Sequence, residues 1–313
     1  MTATDYDSLL DAEVWAFIGK TLESYPEDAA DRPIVDQRHI YDTMCGVFYQ
    51  GRPVGVGVED RSADGVPVRI YSAGDPSRTV LYFHGGGFVV GGLDSHDDVC
   101  AEICAGTGYR VISVDYRLAP EHKHPAAFDD AWTATQWAAR RFGDPIVLAG
   151  DSAGGNLAAA VAHHARSRGP QILGQVLIYP GLGGDGSAPS YRQHAHAPLL
   201  SAAEMDFYET VRLAAGQPRP LDDPTYAPLQ DSDFTRLPPT VIVTADCDPL
   251  RDDAGLYADR LRAAGVRVHW INEPGLVHGY LRARRMAARA RDSFERIEVA
   301  IEALGQGLWP YDD

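Results

Sequence analysis

Gly150-Asp151-Ser152-Ala153-Gly154-Gly155-Asn156 reads G-x-S-x-G, and what flanks it decides its meaning. Before it, Ile146-Val147-Leu148-Ala149 is a short apolar run of strand type. After it, Asn156 to His164 is Ala-rich and free of Gly and Pro, which favours helix. A serine on a sharp strand-to-helix turn has its hydroxyl lifted clear of the backbone, and the free N–H groups of the helix N-terminus point at whatever it attacks. Bulk at Gly150 or Gly154 would collide with neighbouring backbone in so tight a turn. A Gly/Ser-rich turn can show the same pattern by chance. The strand–turn–helix context makes Ser152 the candidate nucleophile.

A second glycine stretch, His84-Gly85-Gly86-Gly87-Phe88, directly follows the strand run Thr79–Phe83. Three consecutive glycines permit positive φ and leave backbone N–H groups uncovered, which suits an oxyanion growing on an attacked carbonyl. A flexible turn or a phosphate cradle would use the same residues. Neither a G-K-[ST] nor a G-x-G-x-x-G pattern accompanies them, which argues against nucleotide.

A serine nucleophile needs a base, and the base needs an orienting carboxylate. Of the eleven histidines, His163 and His164 ride the helix after Ser152, while His194 and His196 fall in a long irregular segment. His278 alone sits between glycines, Gly275 and Gly279, on a loop after the final strand run. For the acid, Asp248 lies just past the run Thr240–Thr244, with Asp246 and Asp252 as competitors in the same loop.

Along the chain, residues 5–25 show apolar positions at helical spacing, fitting either a packed helix or a flap over a site. A looser polar stretch broken by Pro26, Pro33 and Pro53 follows. Residues 54–60 and 66–71 flank an Asp64-Gly65 turn and predict a hairpin. Further strands are expected at Thr79–Phe83, Arg110–Val114, Ile146–Ala149, Gln175–Tyr179, Thr240–Thr244 and Val266–Ile271. Helices are expected near 95–107, 126–141, 154–167, 251–264 and 283–304. Apolar strand runs alternating with helices imply an α/β fold with a mostly parallel sheet covered on both faces. Residues 181 to about 237 interrupt the alternation with Gly, Pro, Asp and Ser, yet Ser201–Glu204 reads as a capping box opening a helix through Leu213. That much chain is an insertion over one end of the sheet.

The 313 residues carry a net charge of −16 and 45% hydrophobic residues, with no basic cluster. This excludes nucleic acid and anionic membrane as expected partners. The start, Met1 to Asp5, has neither the basic nor the apolar region of a signal peptide, and no apolar run approaches the ~20 residues of a membrane span. Cys45, Cys100, Cys104 and Cys247 follow no metal or redox spacing and are expected as buried thiols, with Cys100 and Cys104 on one helix face. A cytoplasmic protein is the expectation.

Taken jointly, His84–Gly87, Asp115-Tyr116-Arg117-Leu118-Ala119-Pro120-Glu121-His122, Gly150–Asn156, Asp248–Asp252 and His278-Gly279 resemble the hormone-sensitive-lipase-like branch of bacterial α/β-hydrolase carboxylesterases. The resemblance runs from about residue 80 to 282. It implies an α/β-hydrolase fold on an eight-stranded sheet, with Ser152 as nucleophile, His278 as base and Asp248 as acid. It implies oxyanion N–H groups at Gly86, Gly87 and Ala153, with Gly85 shaping that loop and Phe88 against the substrate. Residues 116–122 look structural rather than catalytic in the family. The core would comprise residues 46–180 and 236–313, and a helical cap residues 1–45 and 181–235. The implied chemistry is hydrolysis of short-chain acyl esters of small molecules through an acyl-enzyme, with no metal or organic cofactor. A homodimer is expected from the resemblance alone. The same triad also serves amide or formamide hydrolysis. Non-catalytic receptors on this fold lack the histidine that His278 supplies here. Trp15, Phe17, Met205, Phe207 and Tyr208 are candidate apolar lining.

Overall fold

Eight strands form one sheet in the computed structural model, which describes residues 4–166 and 168–311. Residues 1–3, on which part of the signal-peptide reading rests, residues 312–313 and Ser167 at the expected end of a helix lie outside the described residues. In chain order the strands are β1 (Gly57–Ala63), β2 (Val66–Ser72), β3 (Thr79–Phe83), β4 (Arg110–Val114), β5 (Ile146–Asp151), β6 (Ile172–Ile178), β7 (Thr240–Cys247) and β8 (Val268–Val277). Their spatial order is β1-β2-β4-β3-β5-β6-β7-β8. Strand β2 is antiparallel to both β1 and β4, and the remaining pairs are parallel. This is the mostly parallel sheet that the alternating runs predict.

Central strands are buried on both faces, so alternate side chains feed two cores. From β3, Val80 and Tyr82 join the cluster under α4 (Asp97–Thr107) and α10 (Ala288–Gly305), while Leu81 and Phe83 join the one under α5 (Ala126–Phe142), α6 (Ala153–Ala165) and α9 (Arg251–Ala263). All four cysteines are buried and unpaired, with Cys100 and Cys104 together on the inner face of α4. No described helix is long and apolar enough to cross a membrane.

Several expected boundaries move. The first strand starts at Gly57 rather than Val54, whose side chain is fully exposed in a turn. The hairpin itself closes at Asp64 and Gly65, with φ of +50° and +100°, the two-residue turn whose twist matches the strands. The N-terminal periodic stretch breaks into α1 (Tyr6–Leu9) and α2 (Ala12–Leu22), and Asp11 caps the latter by accepting from the Val14 N–H. The stretch expected to be loose is instead a 15-residue helix, α3 (Ile34–Phe48), running past the boundary expected at residue 45. Pro33 stands at its N-cap, where a missing N–H costs the helix nothing. Ile40, Met44, Cys45 and Phe48 form its buried face. In the long segment after β6, a short α7 (Pro189–Gln193) precedes α8 (Ala202–Arg212). The capping box is formed: Ser201 Oγ accepts from the Glu204 N–H at 3.2 Å, and the Glu204 carboxylate accepts from the Ser201 N–H at 2.7 Å. The last helix opens later than expected, after a 3₁₀ stretch over Tyr280–Arg285.

Candidate active site

Four parallel strands end at one rim of the sheet and deliver one piece of the site each. Ser152 follows β5, His84–Gly87 follow β3, Asp248 follows β7 and His278 follows β8. Ser152 has φ +55° and ψ −116°, a strained conformation for a residue with a side chain. It is held by its N–H donating to Ile178 O at 2.9 Å and by its own carbonyl accepting from Asn156 and Gly181. The close approach behind it requires glycine: a Cβ on Gly154 would stand 1.8 Å from Phe83 O.

The Ser152 hydroxyl lies 2.9 Å from His278 Nε2, and His278 Nδ1 lies 2.7 Å from Asp248 Oδ2. The other carboxylate oxygen of Asp248 accepts from the Leu250 N–H at 2.9 Å, which fixes the carboxylate plane. Asp248 is 1% exposed, so its attraction for the imidazole is little screened by water. The competing carboxylates are engaged elsewhere. Asp246 accepts from Asn272 at 2.9 Å, and Asp252 accepts from the Ser190 N–H and from Arg251 at 2.9 Å each.

Facing Ser152, the amides of Gly86, Gly87 and Ala153 have no protein acceptor among the described residues. Gly86 takes φ +120°, and a Cβ there would lie 2.2 Å from Val90 O. Gly85 differs, because its N–H already donates to Asp151 Oδ1 at 3.0 Å. It shapes the loop and offers no free donor.

Nothing local in the sequence marks Asp151. Fully buried, it also accepts from the Tyr82 hydroxyl at 2.8 Å and faces His96 Nε2 at 3.3 Å. Burial pushes its carboxyl up, but His96 and, more weakly, Arg282 and Tyr82 outweigh that and hold it below the usual carboxylate range. His84 stacks on Tyr116 with ring centroids 4.2 Å apart, and the Tyr116 hydroxyl donates to His84 O at 2.6 Å. Burial and the neighbouring His96 push the His84 imidazole down to about 3, so it is neutral. The 115–122 stretch therefore braces the glycine loop from behind.

A cavity of about 700 Å³ opens above Ser152. Phe17, Met205, Phe207, Tyr208 and Phe88 line it as the sequence suggests. Trp15 does not: it is 36% exposed and turned to the side of α2 opposite buried Phe17. Helix α3 adds Ile40, Tyr41 and Met44 to the wall. It is tied to the rest at two points. Arg38 donates to Val89 O and Ala119 O at 2.8 Å each and pairs with Glu121 at 2.6 Å. From the loop after His278, Arg282 reaches the Tyr41 hydroxyl at 2.7 Å and Cys45 Sγ at 3.0 Å. Among the described residues no cluster of side chains is arranged to hold a metal.

The family described by the α/β hydrolase fold matches residues 80–282, more than half of the chain. Carboxylesterase NlhH of Mycobacterium tuberculosis is 43% identical over 258 residues, covering 78% of this chain and 76% of that protein. The chain belongs to the hormone-sensitive-lipase-like carboxylesterases. Ethyl acetate hydrolase of Pseudomonas putida is 34% identical over 264 residues, 79% of this chain and 80% of that one. The crystal structure of an esterase from the bacterial hormone-sensitive lipase family superposes with a TM-score of 0.85 at 27% identity, covering 94% of this chain and 98% of the other.

Proposed function

We propose that the protein hydrolyses short-chain carboxylic esters through an acyl-enzyme on Ser152. Membership of the family makes it a hydrolase of carboxylic esters. What supports the residue assignment is the unbroken line from Asp248 through His278 to Ser152, with 2.7 and 2.9 Å links, ending opposite three unengaged backbone N–H groups.

In the first half-reaction, Ser152 Oγ attacks the ester carbonyl as His278 Nε2 takes its proton. The Asp248 carboxylate accepts from Nδ1–H and stabilises the imidazolium as it forms. The Gly86, Gly87 and Ala153 N–H groups donate to the carbonyl oxygen as it becomes an oxyanion, and the N-terminus of α6 adds its dipole. His278 then gives its proton to the departing alkoxide. In the second half, water enters by the same route, loses a proton to His278 and releases the acid, restoring Ser152.

Residues 1–45 and 181–235 act in this reading as a cap, because both contribute side chains to the cavity above Ser152. Short acids fit best: apolar walls reward the first methylenes, and the relative that hydrolyses ethyl acetate acts on a two-carbon acyl group. We read the protein as a cytoplasmic enzyme, since all four of its cysteines are unpaired. The test is hydrolysis of p-nitrophenyl butyrate by the wild type and by Ser152→Ala. Loss of a triad nucleophile costs on the order of a millionfold in turnover. A serine-reactive phosphonate should label Ser152; labelling of another serine, or activity remaining in Ser152→Ala, would refute the assignment.

A further inference from the structure

One wall of the cavity carries a cation that nothing in the hydrolytic chemistry uses. Arg212, the last residue of α8, lines the cavity and is only 7% exposed. Its guanidinium carbon sits 3.6 Å from the centre of the Phe88 ring and 4.1 Å from that of Tyr226. Among the described residues it has no carboxylate partner and no side-chain hydrogen bond. The two carboxylates whose charge reaches it are occupied: Glu209 pairs with Arg219 at 3.0 Å, and Asp223 pairs with His124 at 3.1 Å. Burial pushes the guanidinium down to about 10, which still leaves it charged at neutral pH.

Tyr226, one of the two rings, supplies no acceptor for it. The Tyr226 hydroxyl is buried and unbonded, and Tyr226 also lines the cavity. Buried guanidinium groups are normally paired, because an unpaired one forfeits its hydration with no return. Aromatic rings compensate part of the charge, but they hydrogen-bond none of its N–H groups. With two rings packed against it, what the guanidinium has left to offer is its N–H edge. That edge fits a planar, bidentate acceptor carrying negative charge.

We infer that the substrate carries a carboxylate on one limb of the ester and that Arg212 binds it. Arg212 is thus a specificity residue. This rests on the hydrolase reading above and narrows its substrate class to esters of dicarboxylic or hydroxycarboxylic acids. The apolar walls accept the linking methylenes, and the strongly acidic exterior, net −16, contributes nothing to holding such an anion. The capture must therefore be local.

Matched esters test this. On the acyl limb, ethyl butyrate, valerate and hexanoate each differ from monoethyl succinate, glutarate and adipate by a terminal methyl replaced with carboxylate. On the alcohol limb, butyl acetate is matched by 4-acetoxybutanoate. Hydrolysis is followed by pH-stat, and the readout is the ratio of kcat/KM within each pair, so that a general loss of activity cancels. At least one pair should favour the carboxylate by about tenfold or more, the worth of a charge-assisted hydrogen-bonded pair. Arg212→Met should abolish that ratio, and Arg212→Lys should retain part of it. Ratios at or below one in every wild-type pair, or a ratio unchanged in Arg212→Met, would overturn the inference. An Arg212→Met chain that fails to fold leaves the wild-type ratios and the lysine variant to decide it. If neither the neutral nor the charged esters are cleaved, the hydrolase reading itself falls.

Discussion

The Asp151 carboxylate and the Gly85 backbone are locked together: Oδ1 accepts the Gly85 N–H at 3.0 Å, and a Cβ on Gly85 would stand 2.4 Å from Oδ2. One residue of the serine turn thus sets the height of the loop that offers Gly86 and Gly87. Asp151→Ala is expected to lower kcat by about ten- to a hundredfold with a smaller change in KM, since losing an oxyanion donor outright costs about a hundredfold or more and this change only misplaces one. Steady-state kinetics on p-nitrophenyl butyrate read this split. A folded Asp151→Ala protein with wild-type kcat would mean the loop is held by other contacts.

The three acidic residues at and beyond the end of β7, Asp246, Asp248 and Asp252, separate by what they touch. Asp248→Asn should cost about ten-thousandfold in kcat by turning His278 to the wrong tautomer. Asp246→Asn and Asp252→Asn should stay within about tenfold, because Asp246 meets Asn272 and Asp252 meets Ser190 and Arg251 rather than the imidazole. If either proves more damaging than Asp248→Asn, the acid is misassigned.

Acyl length should be read by the cavity walls. Each added methylene should raise kcat/KM by up to about fourfold, from about 0.8 kcal/mol of burial. The optimum is expected at about two to six carbons, with a decline beyond about eight. Tyr208 is the wall nearest the oxyanion loop, since a Cβ on Gly87 would meet its ring at 2.4 Å. Tyr208→Ala should therefore shift the optimum to longer acids in a p-nitrophenyl ester series. An unchanged profile would place the limiting wall elsewhere.

Asp253 makes stability depend on pH. Burial pushes its carboxyl up to about 6, although Oδ2 accepts from the Gly184 N–H and the Tyr191 hydroxyl at 2.9 Å each. Between the unfolded value of about 3.9 and the folded value, the native state binds more protons than the unfolded one, so this residue's contribution to stability falls as pH rises through that window. Asp253→Asn removes the ionisation cost. It should stabilise the protein at pH 7 by at most about 3 kcal/mol, less whatever the added amide N–H groups lose where Oδ1 has no partner. The gain should vanish near pH 4. Urea denaturation at both pH values checks it, and an equal effect at the two would exclude ionisation as the cause.

Local chemistry made much of this legible in the sequence. The turn around Ser152, the glycine loop and the Asp64-Gly65 hairpin each announce themselves within a few residues, because tight backbone geometry restricts residue choice on the spot. Asp248 was one of three carboxylates in its loop until the resemblance singled it out, since its partner lies 30 positions away at His278. Helix α3 hid behind its prolines and mixed polarity, although the spacing of Ile40, Met44 and Phe48 carried the signal. Asp151 was illegible in principle: its role depends on Tyr82, His96 and Gly85, which only the sheet brings to it. Trp15 misled because an aromatic residue on an amphipathic helix was credited to the cavity without knowing which face turned inward.

The two arginine ties of α3 give the N-terminal segment a mechanical character. Arg38 fastens it to the backbone beside the glycine loop, and Arg282 fastens it to the loop after His278. The helix is a strut between the half of the machinery that stabilises charge and the half that moves the proton. A door hung on such a strut could not swing without pulling the two halves out of register. Leu22, Glu27, Ala203 and Glu204, exposed residues that border the cavity, stand on segments outside α3. Substrate that enters past them leaves the strut in place, so traffic and alignment fall to different segments of the chain.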